Sequence, residues 1–476
     1  MATSLSQDRV DPRRAGVGPF FLALLYGAGL IGATYLVEGS SPLLLAIVTL
    51  CGGGVFVAFW RVRFGGRLSY ADPGIFFMLV ICLYTAIPLL TFEYFDYSFG
   101  READARLYHI ALDQALISDV WLLASLAMAG FGSAYLLLRS PRMPRMPRME
   151  ELPSGMTGAL WITLIVSAAV SVVAYLGRGG TGYADEYLFF RALPVIVIQI
   201  LNVLSVMFQV SAFGLFAYYF ATKRPLAAYM LLAASLAFFM VMTDARTMLV
   251  VLAGGFFVLR DHLVKRISPA ILAAMVVAGL FLFLMLGFVR EGSAWISDAA
   301  GRWEFTAIFI TALDIQQLYI TGSTLDMNLN LLLSDVFRLV PQQFLAFEKV
   351  DPAAWYIGNF YPLWAESGSG LAFGMLSEAV LTGGPISGLL RGAALGAGVS
   401  LAFNLLTKRA SLWRVIVYVW VFITLYQCFR DTTFTLVGRF AFQFAPGLLL
   451  VIVLSHLLSI RSRGGASARG HPAAPA

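Results

Sequence analysis

The sequence predicts an all-α, polytopic integral membrane protein with about 12 transmembrane helices. Three observations carry that prediction. Of 476 residues, 59% are hydrophobic and only 13% charged, where soluble domains run near a quarter charged. Mean hydropathy is +0.80. Apolar runs of about 20 residues recur from residue 16 to residue 459, which is the length an α-helix needs to cross about 30 Å of hydrocarbon. They are not the ten-residue alternating segments of an outer-membrane barrel.

Taken in order, the expected spans are 16–37, 42–60, 73–92, 117–138, 157–176, 194–220, 226–242, 247–259, 269–289, 384–406, 415–429 and 441–459. The first has no small-residue cleavage site followed by a soluble sequel, so it is expected to stay as an anchor. The eighth is short and reads as the second arm of a tight hairpin across "TDAR". The organisation is then a cytoplasmic N-terminus (1–15), a bundle of about nine helices (16–289), a large periplasmic loop with membrane re-entry (290–383), C-terminal helices (384–460) and a disordered cytoplasmic tail (461–476).

Charge assigns the sides. The N-terminus, the loops 61–67, 139–156, 221–225, 260–266 and 407–414, and the tail together hold 21 of the 33 Lys and Arg residues. By the positive-inside rule these are cytoplasmic, so both termini lie inside. The net charge of +6 is therefore a matter of topology, and no nucleic-acid partner is expected. The inner loop 139–156 contains "PRMPRMPRM", whose proline period favours an extended basic spacer near anionic headgroups. Cys51, Cys82 and Cys428 all fall in apolar runs, which excludes a disulfide framework or thiolate metal site.

The outer face carries the loops of substance: 93–116, 177–193 and 290–370. In the last, "ALDIQQLYITG" and "LNLLLSDVFRLVPQQFLAF" read as amphipathic helices on or in the membrane surface. Against the charge rule, several arginines stand near outer membrane ends: Arg246, Arg290, Arg430 and Arg439, with Arg391 inside the tenth span. Such residues are costly in lipid and face a bundle interior or a wet cavity. Local pairing with Asp244, Glu291 or Asp431 is one reading of them. A shared positive site for phosphate oxygens is the other.

These features together resemble the Wzy-type O-antigen polymerases, the oligosaccharide repeat unit polymerases. The resemblance covers residues 230–445. It rests on "TDARTM", the large outer loop with "LVPQQFLAFEKVD", "SGSGLAFGMLSEAVLTGGPISGLLRG" and "FRDTTFTLVGRF", in that order. The family also carries an Arg, ten residues, then Gly in external loops. Arg290 and Gly301 have that spacing, whereas Phe189 stands eleven positions after Arg178.

The resemblance implies a GT-C-type glycosyltransferase in the bacterial inner membrane. It would join undecaprenyl-diphosphate-linked repeat units at the periplasmic face, alongside a repeat-unit flippase and a chain-length regulator. Arg246, Arg290, Arg430 and Arg439 would stabilise the diphosphate leaving group without metal or cofactor. The candidate bases are Glu378, Asp335 and Glu366. For Glu378 the alternative is a charge partner of Arg391. Trp355, Tyr356, Tyr361 and Trp364 are candidates to stack on sugar rings, or else form an interfacial aromatic belt. An O-antigen ligase would be expected to carry a histidine in the large loop, and 290–370 contain none. A mannosyltransferase of the same class would place acidic residues in the first outer loop, where Glu38 stands alone in "EGSS". A lipid-linked oligosaccharide transporter would show duplicated halves with broken helices; no duplication is visible.

Overall fold

The computed structural model describes residues 18–64, 72–94, 113–140, 155–178, 189–190, 192–242, 246–264, 267–268, 304–323, 328–362, 372–409 and 411–467, with no side-chain description for 246–247, 262–263, 304, 328 and 461–467. Every regular element among them is helical. The first four helices are α1 (Pro19–Val37), α2 (Pro42–Phe64), α3 (Pro73–Tyr94) and α4 (Gln114–Leu138). Next come α5 (Met156–Leu176), α6 (Val195–Ala221), α7 (Pro225–Met242) and α8 (Arg246–Leu263). Four elements of the large loop follow: α9 (Glu304–Ile320), α10 (Asn328–Val336), α11 (Pro352–Phe360) and α12 (Gly374–Leu381). Then come α13 (Gly384–Thr407), α14 (Leu412–Arg430) and α15 (Thr435–Ile460), whose helix runs on to Ser467, so residues 461–467 of the expected disordered tail are helical. Ten of these, α1 to α7 and α13 to α15, are long and apolar enough to cross a membrane. The protein is an all-α, multi-pass membrane protein.

Local chemistry sets the helix starts. Proline occupies the first helical position of α1, α2, α3, α7 and α11, where its missing N–H is an orphan in any case. Asp72 caps α3, its Oδ1 accepting from the amides of Gly74 (3.0 Å) and Ile75 (3.3 Å). Asp113 and Asp351 cap α4 and α11 in the same way.

Two expectations change. The eighth helix is not short: α8 has 18 residues, about 27 Å at 1.5 Å per residue. The charges of Arg246, Arg260 and Asp261 at its ends conceal that length from a hydropathy reading. Nor does α9 lie on the membrane surface. It is inserted against α3, α4 and α12, with Ile308, Phe309, Ala312, Leu313 and Ile315 buried. It is apolar on too many sides to lie flat at an interface. By contrast α10 and the turn after it do leave Leu329, Leu332, Val336, Phe337 and Leu339 exposed, as a surface-lying helix would. The expected span 269–289 lies outside the described residues.

Two apolar cores fill the bundle. One gathers α1 to α4 with α9, α11 and α12; the other gathers α5 to α8 with α14 and α15. Helix α13 joins both, giving Leu395 and Val399 to the first and Phe403 to the second. It runs parallel to α4 at very close range. A Cβ added at Gly388, Gly392 or Gly396 would collide with the carbonyls of Leu123, Ala127 or Phe131. Small residues spaced four apart allow this backbone approach, which supplies packing where lipid gives no hydrophobic drive. Near its start α15 contains a π-helical turn at Phe440–Phe444, whose Phe440 and Phe444 rings lie against Trp420.

At one end of the α4–α13 pair is a closed ion pair. Arg139 Nη2 meets Asp72 Oδ2 at 2.7 Å, both side chains at 0% exposure. The Tyr135 hydroxyl donates to Asp72 Oδ1 (2.8 Å). The guanidinium lies over the rings of Phe64 (4.1 Å) and Phe403 (4.4 Å).

Candidate functional site

The site is built on α12, which is packed in the first core against α9, α13 and the end of α14. Gly374 opens it with a φ of +79°, a backbone state that side-chain-bearing residues avoid. Its amide donates to the Asp431 carbonyl at 2.9 Å. All eight residues of α12 are buried. Gly383 (φ +126°) and Gly384 (φ +59°) then turn the chain into α13. "SGSGLAFGMLSEAVLTGGP" is thus no lipid-facing span. It contains a short buried helix, and the true span begins at its "GGP".

Two turns into α13, Arg391 gathers this region. Its Nη1 donates to Glu378 Oε2 (2.9 Å) and Thr433 Oγ1 (2.9 Å). Its Nη2 donates to Asp335 Oδ2 (2.8 Å) and Thr382 Oγ1 (3.2 Å), and its Nε to Ser387 Oγ (3.2 Å). Glu378 Oε2 also accepts from the Thr433 amide (2.8 Å) and hydroxyl (2.6 Å). Four elements, α10, α12, α13 and the 431–434 turn, therefore converge on one guanidinium.

That guanidinium serves two carboxylates, and they are not equivalent. Asp335 has both oxygens in ion pairs, Oδ2 with Arg391 and Oδ1 with Arg338 at 3.6 Å. Glu378 has one oxygen engaged three times, while its Oε1 is buried without a hydrogen-bond partner. Burial pushes the Glu378 carboxyl above the usual carboxylate range. Arg391 opposes that rise, Asp335 adds to it, and the Thr433 bonds oppose it.

Beside this cluster opens a cavity of about 550 Å³. Asp335 and Glu378 line it together with Arg338, Lys349, Arg430, Asp431, Arg439, Thr432 and Thr435. Asp431 sits between two arginines, pairing with Arg430 and with Arg439 at 3.0 Å each. Arg439 also donates to Gln427 Oε1 (2.6 Å). Both arginine side chains remain about a third exposed. Lys349 Nζ donates to the carbonyls of Arg338 (3.0 Å) and Val340, so among the described residues its charge meets backbone oxygen. Four cations thus line one polar space, together with four carboxylates (Asp335, Asp351, Glu378 and Asp431), and are able to meet a multiply charged anion at several oxygens. No group of three or more His, Cys, Asp or Glu with metal-ligand geometry occurs among the described residues.

The residues singled out from sequence fare differently. Glu378, Asp335, Arg430 and Arg439 line the same cavity. Arg246 begins α8, with its side chain outside the description, and Arg290, Glu366 and Trp364 lie outside the described residues. Tyr356 and Tyr361 do not offer their rings to a ligand. They are buried at 0% and 4% exposure, and both hydroxyls donate to Asp314 Oδ2 on α9. They staple α11 to α9. Trp355 packs edge-on against Phe360, at 5.5 Å between centroids, on the flank of the first core. The two tyrosines are therefore packing residues, turned inward from α11 and its C-cap, while Trp355 is half-buried at the edge of the same core. Arg338, Lys349 and Thr433 were not foreseen. An Asp–Arg spacing of three in "SDVFR" was the available signal for Arg338; nothing local marks Lys349.

Comparison with known proteins adds no identification: no family model matches the chain, no curated protein does, and no solved structure does.

Proposed function

We propose that this protein is a glycosyltransferase that joins lipid-diphosphate-linked oligosaccharides, a repeat-unit polymerase acting at the outer face of the cytoplasmic membrane. One observation carries the reading: Arg338, Lys349, Arg430 and Arg439 line a single cavity whose wall also includes the buried Glu378 and Asp335, within a multi-pass membrane bundle. The order of motifs noted in the sequence and the charge asymmetry of its loops support the same reading.

The reaction follows from that arrangement. The bond between the anomeric carbon of the donor glycan and its diphosphate oxygen breaks. A hydroxyl at the non-reducing end of the incoming unit forms the new glycosidic bond and gives up its proton. Polyprenyl diphosphate leaves with the electron pair. The four cations stabilise charge developing on that leaving group. Glu378 is the better proton acceptor of the two carboxylates, since Oε1 has no partner while Arg391 and Thr433 hold Oε2 in place. Asp335, paired at both oxygens, positions Arg391.

The test is direct. Purified protein in liposomes should lengthen a lipid-linked repeat unit, and loss of the gene should leave single-repeat glycan in place of a long ladder. Lipid-carrier-bound polymer in the deletion strain would point to a ligase instead, and glycan moved across vesicles without lengthening would point to a transporter.

A further inference from the structure

A second cavity of about 490 Å³ lies against the first. Its walls come from α13, α14 and the start of α15, and they are almost wholly apolar. Two chain segments serve both spaces. Along the turn into α15, Thr432, Thr435 and Arg439 line the polar cavity while Thr433, Phe434, Leu436 and Val437 line the apolar one. After α10, Arg338 lines the polar cavity and its neighbour Leu339 the apolar one. Leu339, Leu405 and Val437 are exposed, so the groove is open along its side.

The groove floor is a row of small residues, Ala394, Gly398 and Ala402. This row differs from the glycines that pack α13 on α4. A Cβ at Gly398 would meet nothing within 4 Å, whereas one at Gly392 would strike backbone. At Gly398 smallness therefore serves no neighbour among the described residues. From Ala394 to Leu406 the floor runs about 18 Å along the helix, over half of a hydrocarbon core of about 30 Å.

We infer that this groove seats the single long hydrocarbon chain of the same lipid whose diphosphate occupies the cation-lined cavity. The inference rests on the reading above for the head and adds a path for the tail. Adjacency is the argument: the two spaces share no lining residue but are lined by neighbouring residues at 338–339 and along 432–440, so an amphiphile with its charge beside Arg338 and Arg439 would have its chain leaving past Leu339 and Val437. The groove orients more than it attracts, because bilayer lipid is as apolar as its walls. It would hold the scissile bond at a fixed depth beside Glu378.

The experiment uses the full-length protein in lipid nanodiscs and a polyprenyl diphosphate carrying a photoreactive group on its chain. Labelling should map to α13 and α14, and excess unlabelled polyprenyl diphosphate should displace it. Gly398→Leu should cut that labelling and raise the KM for a long-chain donor about tenfold, in the range that surplus methylenes cost in a filled apolar site. It should leave the KM for a short-chain donor unchanged. Ala402→Phe serves as a second filling variant, with thermal unfolding checked for both. Leu390→Phe, on an exposed face of the same helix, should have no effect. Unchanged long-chain labelling in both filling variants would overturn the groove assignment while leaving the head site standing. Labelling displaced equally by bulk phospholipid would also overturn it. If Arg430→Ala and Arg439→Ala leave donor KM and turnover unchanged, the failure belongs to the head site.

Discussion

Two buried arginines sit about 20 Å apart along α13, judged from the level of Asn404 beside Leu138 and that of Arg391. Arg139 pairs with Asp72 and lies against the aromatic rings of Phe64 and Phe403. Arg391 has two carboxylates, borrows hydroxyls from Thr382, Ser387 and Thr433, and borders a cavity with four further cations. The same buried ion-pair chemistry thus gives a closed latch at one end and an open, over-supplied carboxylate cluster at the other. A pair that only holds helices together needs no surplus charge and no adjoining space. The second one has both.

The largest expected effects come from stranding buried charge. Arg139→Leu and Arg391→Leu should each cost about 3–5 kcal/mol, because Asp72 in the first and Glu378 in the second are left buried without their cation. Loss of folded protein on gel filtration would show it. Neutral replacement then separates the two. Asp72→Asn with Arg139→Leu should restore both abundance and glycan output. Glu378→Gln and Asp335→Asn with Arg391→Leu should restore abundance alone. Full glycan ladders from the triple variant would erase the distinction between latch and site.

Next in size are the cavity arginines. Arg430→Ala and Arg439→Ala should each lower turnover about 10²-fold, as removal of one transition-state donor does elsewhere. Melting should change by less than about 0.5 kcal/mol, since both are partly exposed. A stability loss matching the activity loss would recast them as packing residues.

Much of this division was legible in the chain itself. Long apolar runs and the Lys/Arg bias define a multi-pass helical bundle, and Glu378 with Arg391 stands out as charge inside an apolar stretch. Asp335 was visible as an outer carboxylate, but its contact with Arg391 spans 56 residues and depends on α10 folding back. Residues brought together by such returns leave no periodic trace. The tyrosines of α11 misled for a related reason: an amphiphilic ring looks alike whether its hydroxyl reaches a sugar or, as here, a buried Asp314.

The pH response should be smaller but diagnostic. Glu378 must be ionised to accept a proton, and burial raises its carboxyl. Turnover should therefore fall with decreasing pH at a point above the usual carboxylate range of about 4.3. Stability should move the other way. The folded carboxyl holds its proton to higher pH than the unfolded one, so its contribution is complete below the unfolded value and fades as pH rises through the folded one. Rate and melting profiles of opposite slope, both absent in Glu378→Gln, are the expected result. Parallel slopes would remove Glu378 from the base role. The smallest effect on output is expected from Tyr356→Phe and Tyr361→Phe, which should cost about 1–2 kcal/mol of stability each with the ladder unchanged. A shortened ladder at normal abundance would return these rings to glycan contact.

The π-helical turn at Phe440–Phe444 has its own consequence. A π turn is an α-helix carrying one residue too many, and each residue of an α-helix turns the chain by about 100°. It therefore works as a phase shifter between two parts of α15. Below it, the helix keeps the angular setting that buries Leu448 and Val451 in the second core. Above it, Arg439 and Thr435 keep the setting that aims them at the cavity. Deleting a single residue within 440–444 would leave an unbroken, equally apolar span of the same polarity. It would also swing the guanidinium of Arg439 away from Asp431, uncoupling the orientation of the site from that of the membrane anchor that bears it.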